Sequence, residues 1–220
     1  MGSKNPVSVV CFGDSNTWGF NPVDRTRYPA AQRWPRQLQH ILGPDYYVIE
    51  EGLNGRTTVF EDPVAGDKSG LAHLAIVRKT HMPIDLLIIM LGTNDLQTRF
   101  GLSTEAIGRA MGRLLYAANQ STDDAEGRPP NVLLVSPAPL GKLAGTPYEA
   151  FFSGLESQRQ SARLASVYKD QAELYGAAYF DAGSVVSVSP EDAIHLGPDM
   201  QAPLAEALAA QVKKMIAPEC

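Results

Sequence analysis

The stretch Leu86-Leu87-Ile88-Ile89-Met90-Leu91 is the longest apolar run in the chain, and it stops abruptly at Gly92-Thr93-Asn94-Asp95. A segment apolar on both faces has to be covered on both, which is the condition of a strand in the middle of a parallel sheet. The same grammar recurs. Val9-Val10-Cys11-Phe12 ends in Gly13-Asp14-Ser15-Asn16-Thr17, where Gly13 permits a sharp turn that a side chain would obstruct. Tyr46-Tyr47-Val48-Ile49-Glu50 ends in Glu51-Gly52-Leu53-Asn54-Gly55-Arg56-Thr57-Thr58. Two further strands are expected, one over 132–135 before Ser136-Pro137-Ala138-Pro139, and a short one over 178–180 before Asp181-Ala182-Gly183-Ser184.

Helical periodicity fills the intervals. Trp34, Leu38, Ile41 and Leu42 share a face ahead of Gly43-Pro44, and 71–79 reads as a second helix. Ser103 or Thr104 caps a third, with Ile107, Met111, Leu114, Leu115 and Ala118 inward and Arg109 and Arg113 outward. A long helix over 154–175 is expected to bury Ala162, Ala165, Tyr168, Ala172 and Tyr175 and to end at Gly176. The last helix turns Leu204, Leu208, Val212, Met215 and Ile216 inward. The segments 119–131 and 141–152 read as loops, the first solvated and protease-sensitive. Five strands alternating with helices imply parallel pairing and right-handed crossovers, hence a three-layer α/β/α sandwich formed as one domain over residues 1–220.

Bulk properties narrow the function. A net charge of −5 with no basic tract removes the electrostatic footprint of a nucleic-acid binder. No charged n-region precedes an apolar h-region, and the longest apolar run is too short to span a bilayer, so a cytoplasmic protein without a membrane partner is expected. Cys11 and Cys220 give neither a metal spacing nor a disulfide framework, and Cys11 reads as a small core residue. His73 and His81 lack partners at ligand spacing and read as surface or interface residues, so neither a metal nor another cofactor is expected.

In a parallel sheet, the turns after the first three strands and the loop before the last helix gather at one edge. Ser15, Gly55, Asn94, Asp192 and His195 therefore converge where ligands bind in such folds. Acyl transfer needs a hydroxyl, a base and an orienting acceptor, and Ser15, His195 and Asp192 supply these residue types. The Ser15 and Gly55 N–H groups and the Asn94 amide are candidate donors to an oxyanion. Each feature alone has a plainer reading: Asn94-Asp95 closes a turn, and Asp192 caps the turn around 193–196. Four plain readings would then have to coincide at separate places.

Gly13-Asp14-Ser15, Gly55, Gly92-Thr93-Asn94-Asp95 and Asp192-Ala193-Ile194-His195 resemble, in order, the four blocks of the SGNH hydrolases, also called the GDSL family. Their fuller contexts, Gly13 to Gly19, Glu50 to Thr58 and Ile88 to Asp95, resemble its arylesterase/acyltransferase group. The resemblance implies Ser15 as nucleophile, Asp192 and His195 completing a triad, and Ser15, Gly55 and Asn94 as the oxyanion hole. It further implies a flavodoxin-like strand order 2-1-3-4-5, no metal, and a homo-oligomer. At position 55 the donor is a backbone N–H, so the side chain there is expected to matter little.

The expected activity is that of a serine esterase on small-molecule short-chain acyl and aryl esters, with water or an alcohol as acyl acceptor. An acetylated sugar is an alternative substrate, and a flavodoxin-like binding module is the non-enzymatic alternative. Trp18, Phe20, Phe151 and Phe152 are expected to line an apolar, restricted entrance.

Overall fold

The computed structural model describes residues 5–120 and 128–216. Five parallel strands form one sheet in the order β2-β1-β3-β4-β5: β1 Val7–Gly13, β2 Tyr46–Gly52, β3 Leu86–Met90, β4 Asn131–Ser136 and β5 Ala178–Asp181. The short helix α1 (Ser15–Trp18) follows β1 directly, and α2 (Trp34–Leu42) completes the first crossover. The remaining helices are α3 (Gly70–His81), α4 (Thr104–Ala118), α5 (Leu155–Tyr175) and α6 (Pro198–Met215). None of the helices among the described residues is long and apolar enough to cross a membrane.

Strand alternation divides the core in two. Val10, Phe12, Leu87, Ile89, Val132 and Leu134 pack under α3, α4 and α5, whereas Val9, Cys11, Leu86, Ile88, Leu133 and Val135 pack under α2 and α6. Both faces of β1 and β3 are thus covered, which is why their sequences are apolar without alternation. Cys11 is wholly buried, and burial pushes its thiol pKa well up.

β3 is shorter than the apolar run around it. Asp85 ends the run on one side, its carboxylate accepting from the Ser8 N–H (2.9 Å) and pairing with Arg128 (3.0 Å). On the other side the Leu91 carbonyl accepts from the Tyr168 hydroxyl (3.1 Å), so a buried tyrosine of α5 closes the strand.

The buried stripe of α5 differs from the expected one. It comprises Ser157, Ser161, Leu164, Tyr168 and Ala172, while Ala162 is exposed and Ala165 and Tyr175 are half-buried. Two serines enter the core face because each satisfies loop backbone: Ser161 Oγ accepts from Leu140 N–H (3.0 Å), and Ser157 Oγ donates to Leu96 O (3.3 Å). A periodicity built on apolar residues alone misses them. In α6 the innermost set is Gln201, Leu204, Ala205, Leu208, Ala209 and Val212, with Met215 and Ile216 at its margin. Part of the loop expected over 119–131, namely 121–127, and Cys220 lie outside the described residues.

Candidate active site

Register puts the site together. Gly13 is the last paired residue of β1, facing Gly52 of β2 on one side and Met90 of β3 on the other, so the three following turns leave the sheet at one level. A Cβ on Gly13 would collide with the Thr17 side chain and the Met90 carbonyl, which is what confines the position to glycine.

Ser15 opens α1, whose N-cap Asp14 accepts from the Asn16 N–H (2.9 Å). Its Oγ lies 2.8 Å from His195 Nε2, and His195 Nδ1 lies 2.5 Å from Asp192 Oδ2. A carboxylate on Nδ1 fixes the proton there, so Nε2 is the lone pair that accepts from the Ser15 hydroxyl. Asp192 serves both readings of its position at once, because its other oxygen caps the Ile194 and His195 N–H groups at 2.9 Å each. The turn that allows this takes Ala193 to φ +64°, a left-handed conformation costing about 1–2 kcal/mol in a residue with a Cβ. Burial raises the Asp192 pKa, but the His195 ring hydrogen bond and charge, with the two capped N–H groups, outweigh it and leave the carboxyl below its usual range.

Asn16, to which the sequence motifs assign no role, clamps this loop to the serine turn. Its Oδ1 accepts from Leu196 N–H (2.9 Å), its Nδ2 donates to Ile194 O (3.4 Å), and its carbonyl accepts from the Trp34 indole (3.1 Å). Asparagine next to the serine was the available signal, but its partners lie 178 and 180 residues away. His195 is also held by rings: Phe20 lies 4.2 Å away, tilted by 32°, and Tyr148 meets it edge-on at 5.8 Å.

The Ser15 and Gly55 N–H groups have no acceptor among the described residues. Asn94 Nδ2 spends one hydrogen on Arg56 O (3.0 Å), and its Oδ1 accepts from Gln97 Nε2 (3.1 Å). The second Nδ2 hydrogen has no acceptor among the described residues. Gly55 has φ +79°, so although a Cβ there would meet nothing closer than Lys68 at 3.5 Å, a side chain would strain the turn. The expectation that position 55 tolerates a side chain therefore holds for space and fails for conformation.

Beneath the turns lie two buried carboxyls. Burial pushes Asp14 up to about 6 against the Asn16 N–H and the fields of His195 and Arg56. Burial likewise pushes Asp95 up to about 6, against hydrogen bonds from the Thr58 hydroxyl and N–H.

A cleft of about 210 Å³ opens over Ser15 and is lined by Gly55, Asn94 and His195 among others. Phe20, Phe151 and Phe152 face it. Trp18 does not: it lies over the end of β2 and carries the Arg27 guanidinium 5.0 Å from its ring. The expectation of an apolar entrance is also corrected, since Asn54, Gln97, Arg99 and Tyr148 share the lining. Gln97 and Arg99 follow Asn94 in the same turn, a proximity that the sequence displayed without a motif. His73 and His81 stand away from the cleft, bound to Arg56 (3.4 Å) and Glu51 (2.7 Å).

Comparison with known proteins agrees with this geometry. The aryl esterase of M. smegmatis superposes with a TM-score of 0.91 at 36% identity, covering 96% of this chain and 100% of that one. A carbohydrate acetylesterase from Sinorhizobium meliloti gives 0.89 at 36% identity, over 96% and 100%. A 92-residue segment is 34% identical to an acetylxylan esterase of Xylanibacter ruminicola, being 42% of this chain and only 18% of that larger protein. Residues 11–202 match the GDSL-like lipase/acylhydrolase family, a span that runs from β1 through the Asp192 and His195 loop, and the chain belongs to that family.

Proposed function

We propose that the chain is a serine esterase that cleaves short-chain acyl and aryl esters through an acyl-enzyme, with Ser15 as nucleophile, His195 as general base and Asp192 as its orienting carboxylate. The observation that carries this reading is the continuous Asp192–His195–Ser15 hydrogen-bond chain facing a cleft shared with Gly55 and Asn94.

As Ser15 Oγ attacks the ester carbonyl, its proton passes to His195 Nε2. The charge that develops on the carbonyl oxygen is met by the Ser15 and Gly55 N–H groups and the Asn94 amide, none of which brings a competing charge. Collapse of the tetrahedral intermediate returns the proton to the departing alkoxide and leaves an ester on Ser15. Water, activated by the same imidazole, then frees the acid. An alcohol in the same place yields a new ester, so acyl transfer is a second outcome of one intermediate. The small cleft favours acyl groups of about two to four carbons, because overpacking excludes longer ones.

A second reading, an acetylesterase for carbohydrates, is favoured by the polar wall of Asn54, Gln97 and Arg99, which offers hydrogen bonds to sugar hydroxyls. Both readings use the same serine. Hydrolysis of p-nitrophenyl acetate and of an acetylated xylose by wild type and Ser15→Ala tests them together. Turnover in the variant is expected to fall by roughly 10³-fold or more on both substrates, with circular dichroism unchanged. A folded variant that keeps its turnover removes the mechanism, and activity on neither substrate in wild type favours a binding module.

A further inference from the structure

Arg56 is 4% exposed, directly follows Gly55, and forms no ion pair among the described residues. Burying a cation without a counter-ion is costly, and burial lowers its pKa to about 10 despite the opposing fields of Glu51 and Asp14. What offsets that cost is a set of contacts that, apart from one to His73 on α3, lie at the carboxyl ends of strands. Nη1 donates to the carbonyls of Gly13 (2.8 Å) and Glu51, Nε donates to His73 Nδ1 (3.4 Å), and the guanidinium lies 4.2 Å from the Phe12 ring. Its own carbonyl accepts from Asn94 Nδ2 (3.0 Å), and its N–H donates to Leu53 O (3.0 Å).

One residue thereby joins the end of β1, the end of β2 and the turn after β3. Those are the three places that present Ser15, Gly55 and Asn94. Regular pairing of β1 with its neighbours stops at Gly13, so side-chain ties take over there. From these contacts we infer that Arg56 is a positioning residue of the oxyanion hole, setting the Gly55 N–H and the Asn94 amide relative to the serine. The inference rests on the roles proposed above for Ser15, Gly55 and Asn94.

The guanidinium explains the residue type. Nη1 gives bonds to two carbonyls and Nε gives one to His73 while the planar face lies on the Phe12 ring, a spread of donors over two nitrogens that a single ammonium nitrogen does not reproduce. The donors it locates do their work when they sit 2.7–3.1 Å from the oxyanion, and a displacement of about 1 Å costs on the order of 10²-fold in rate. Such a loss belongs to the transition state. It lowers kcat and leaves ground-state affinity nearly untouched.

Steady-state kinetics on p-nitrophenyl acetate, with Arg56→Ala, Arg56→Lys, Asn94→Ala and Ser15→Ala in parallel, test the assignment. Arg56→Ala is expected to lose kcat by about 10²-fold with KM within about two-fold, and Arg56→Lys about ten-fold. Guanidinium ion added at non-denaturing concentration should fill the vacated site and restore kcat several-fold in Arg56→Ala, and not in Asn94→Ala. Wild-type kcat in either folded Arg56 variant overturns the assignment, as does a loss in Arg56→Ala that is carried by KM or is indifferent to guanidinium. Should Arg56→Ala fail to fold, the Lys variant decides by its kcat against its KM. Ser15→Ala separates the levels: activity there overturns the proposed mechanism itself, whereas an inactive Ser15→Ala beside fully active Arg56 variants overturns the Arg56 role alone.

Discussion

On one side of the cleft, Ser15, Gly55 and Asn94 sit two, three and four residues beyond strands that end in mutual register. On the other side, Tyr148, Phe151 and Phe152 belong to the irregular stretch between β4 and α5, where the regular element is one turn of 3₁₀ helix, Glu149–Phe151. The floor is fixed by paired strands and buried polar ties. The lip is fixed by a few contacts, including a bridge from Gln97 to Phe152 and a Thr98 hydroxyl bond to Phe151 O (3.1 Å). On the proposed mechanism, the groups that meet the transition state lie on the part held by paired strands, and the groups proposed to select substrates by size lie on the part held by fewer contacts.

Removing a floor donor breaks the comparison most severely. Asn94→Ala deletes the amide proposed to face the developing oxyanion, and kcat on p-nitrophenyl acetate is expected to fall by about 10² to 10³-fold with little change in KM. A loss that shows up mainly in KM would mean that Asn94 binds substrate as the lip residues do, and the division between floor and lip would fail.

The sheet and four of the site's blocks were legible because they have short-range causes. A strand covered on both faces must be apolar throughout, and a turn at its end must carry Gly and small polar residues. Contacts that join distant segments leave no such trace. Asn16 and Arg56 act largely on backbone carbonyls and N–H groups, which every residue possesses, so nothing at the far position marks the pairing. Trp18 shows the converse error: closeness to Ser15 in sequence suggested closeness to the cleft, yet the chain packs so tightly over Gly52 that a Cβ there would strike the Trp18 backbone. The serines of α5 were hidden because their burial is set by loop groups outside the helix.

The buried carboxyls of the floor give the comparison a pH axis. Asp95 has a folded-state pKa of about 6 against an ordinary 3.8, so the folded state binds its proton more tightly than the unfolded chain. Its contribution to stability is largest below pH 3.8 and is lost as pH rises through 6, a change on the order of 3 kcal/mol for a shift of about two pH units. Asp95→Asn removes that titration. Urea unfolding should then show the variant gaining on wild type between pH 4.5 and 7, while a difference independent of pH would contradict a buried, raised Asp95.

The smallest effect, and the one that sharpens the comparison most finely, concerns the lip. Phe151 is 48% exposed and lines the cleft, whereas Phe152 is 6% exposed and packs into the core. Truncating them should therefore do different things. Phe152→Ala vacates core volume and is expected to cost about 3–5 kcal/mol in unfolding free energy, so its kinetics report a loosened lip as well as a wider one. Phe151→Ala removes a ring that is half in solvent and leaves the core intact, so it tests size selection with little change in stability. Wild type is expected to prefer acetate and butyrate esters over octanoate. Phe151→Ala should narrow that preference about ten-fold, the scale of one to two methylenes of steric exclusion, with kcat on acetate within about three-fold because the floor is untouched. In mixtures of vinyl acetate and a primary alcohol, the same variant should shift product from the new ester toward acetic acid, since opening the lip admits water to the acyl-enzyme. An unchanged chain-length profile would move size selection off the lip and onto the floor, most directly onto the Gln97 and Arg99 wall.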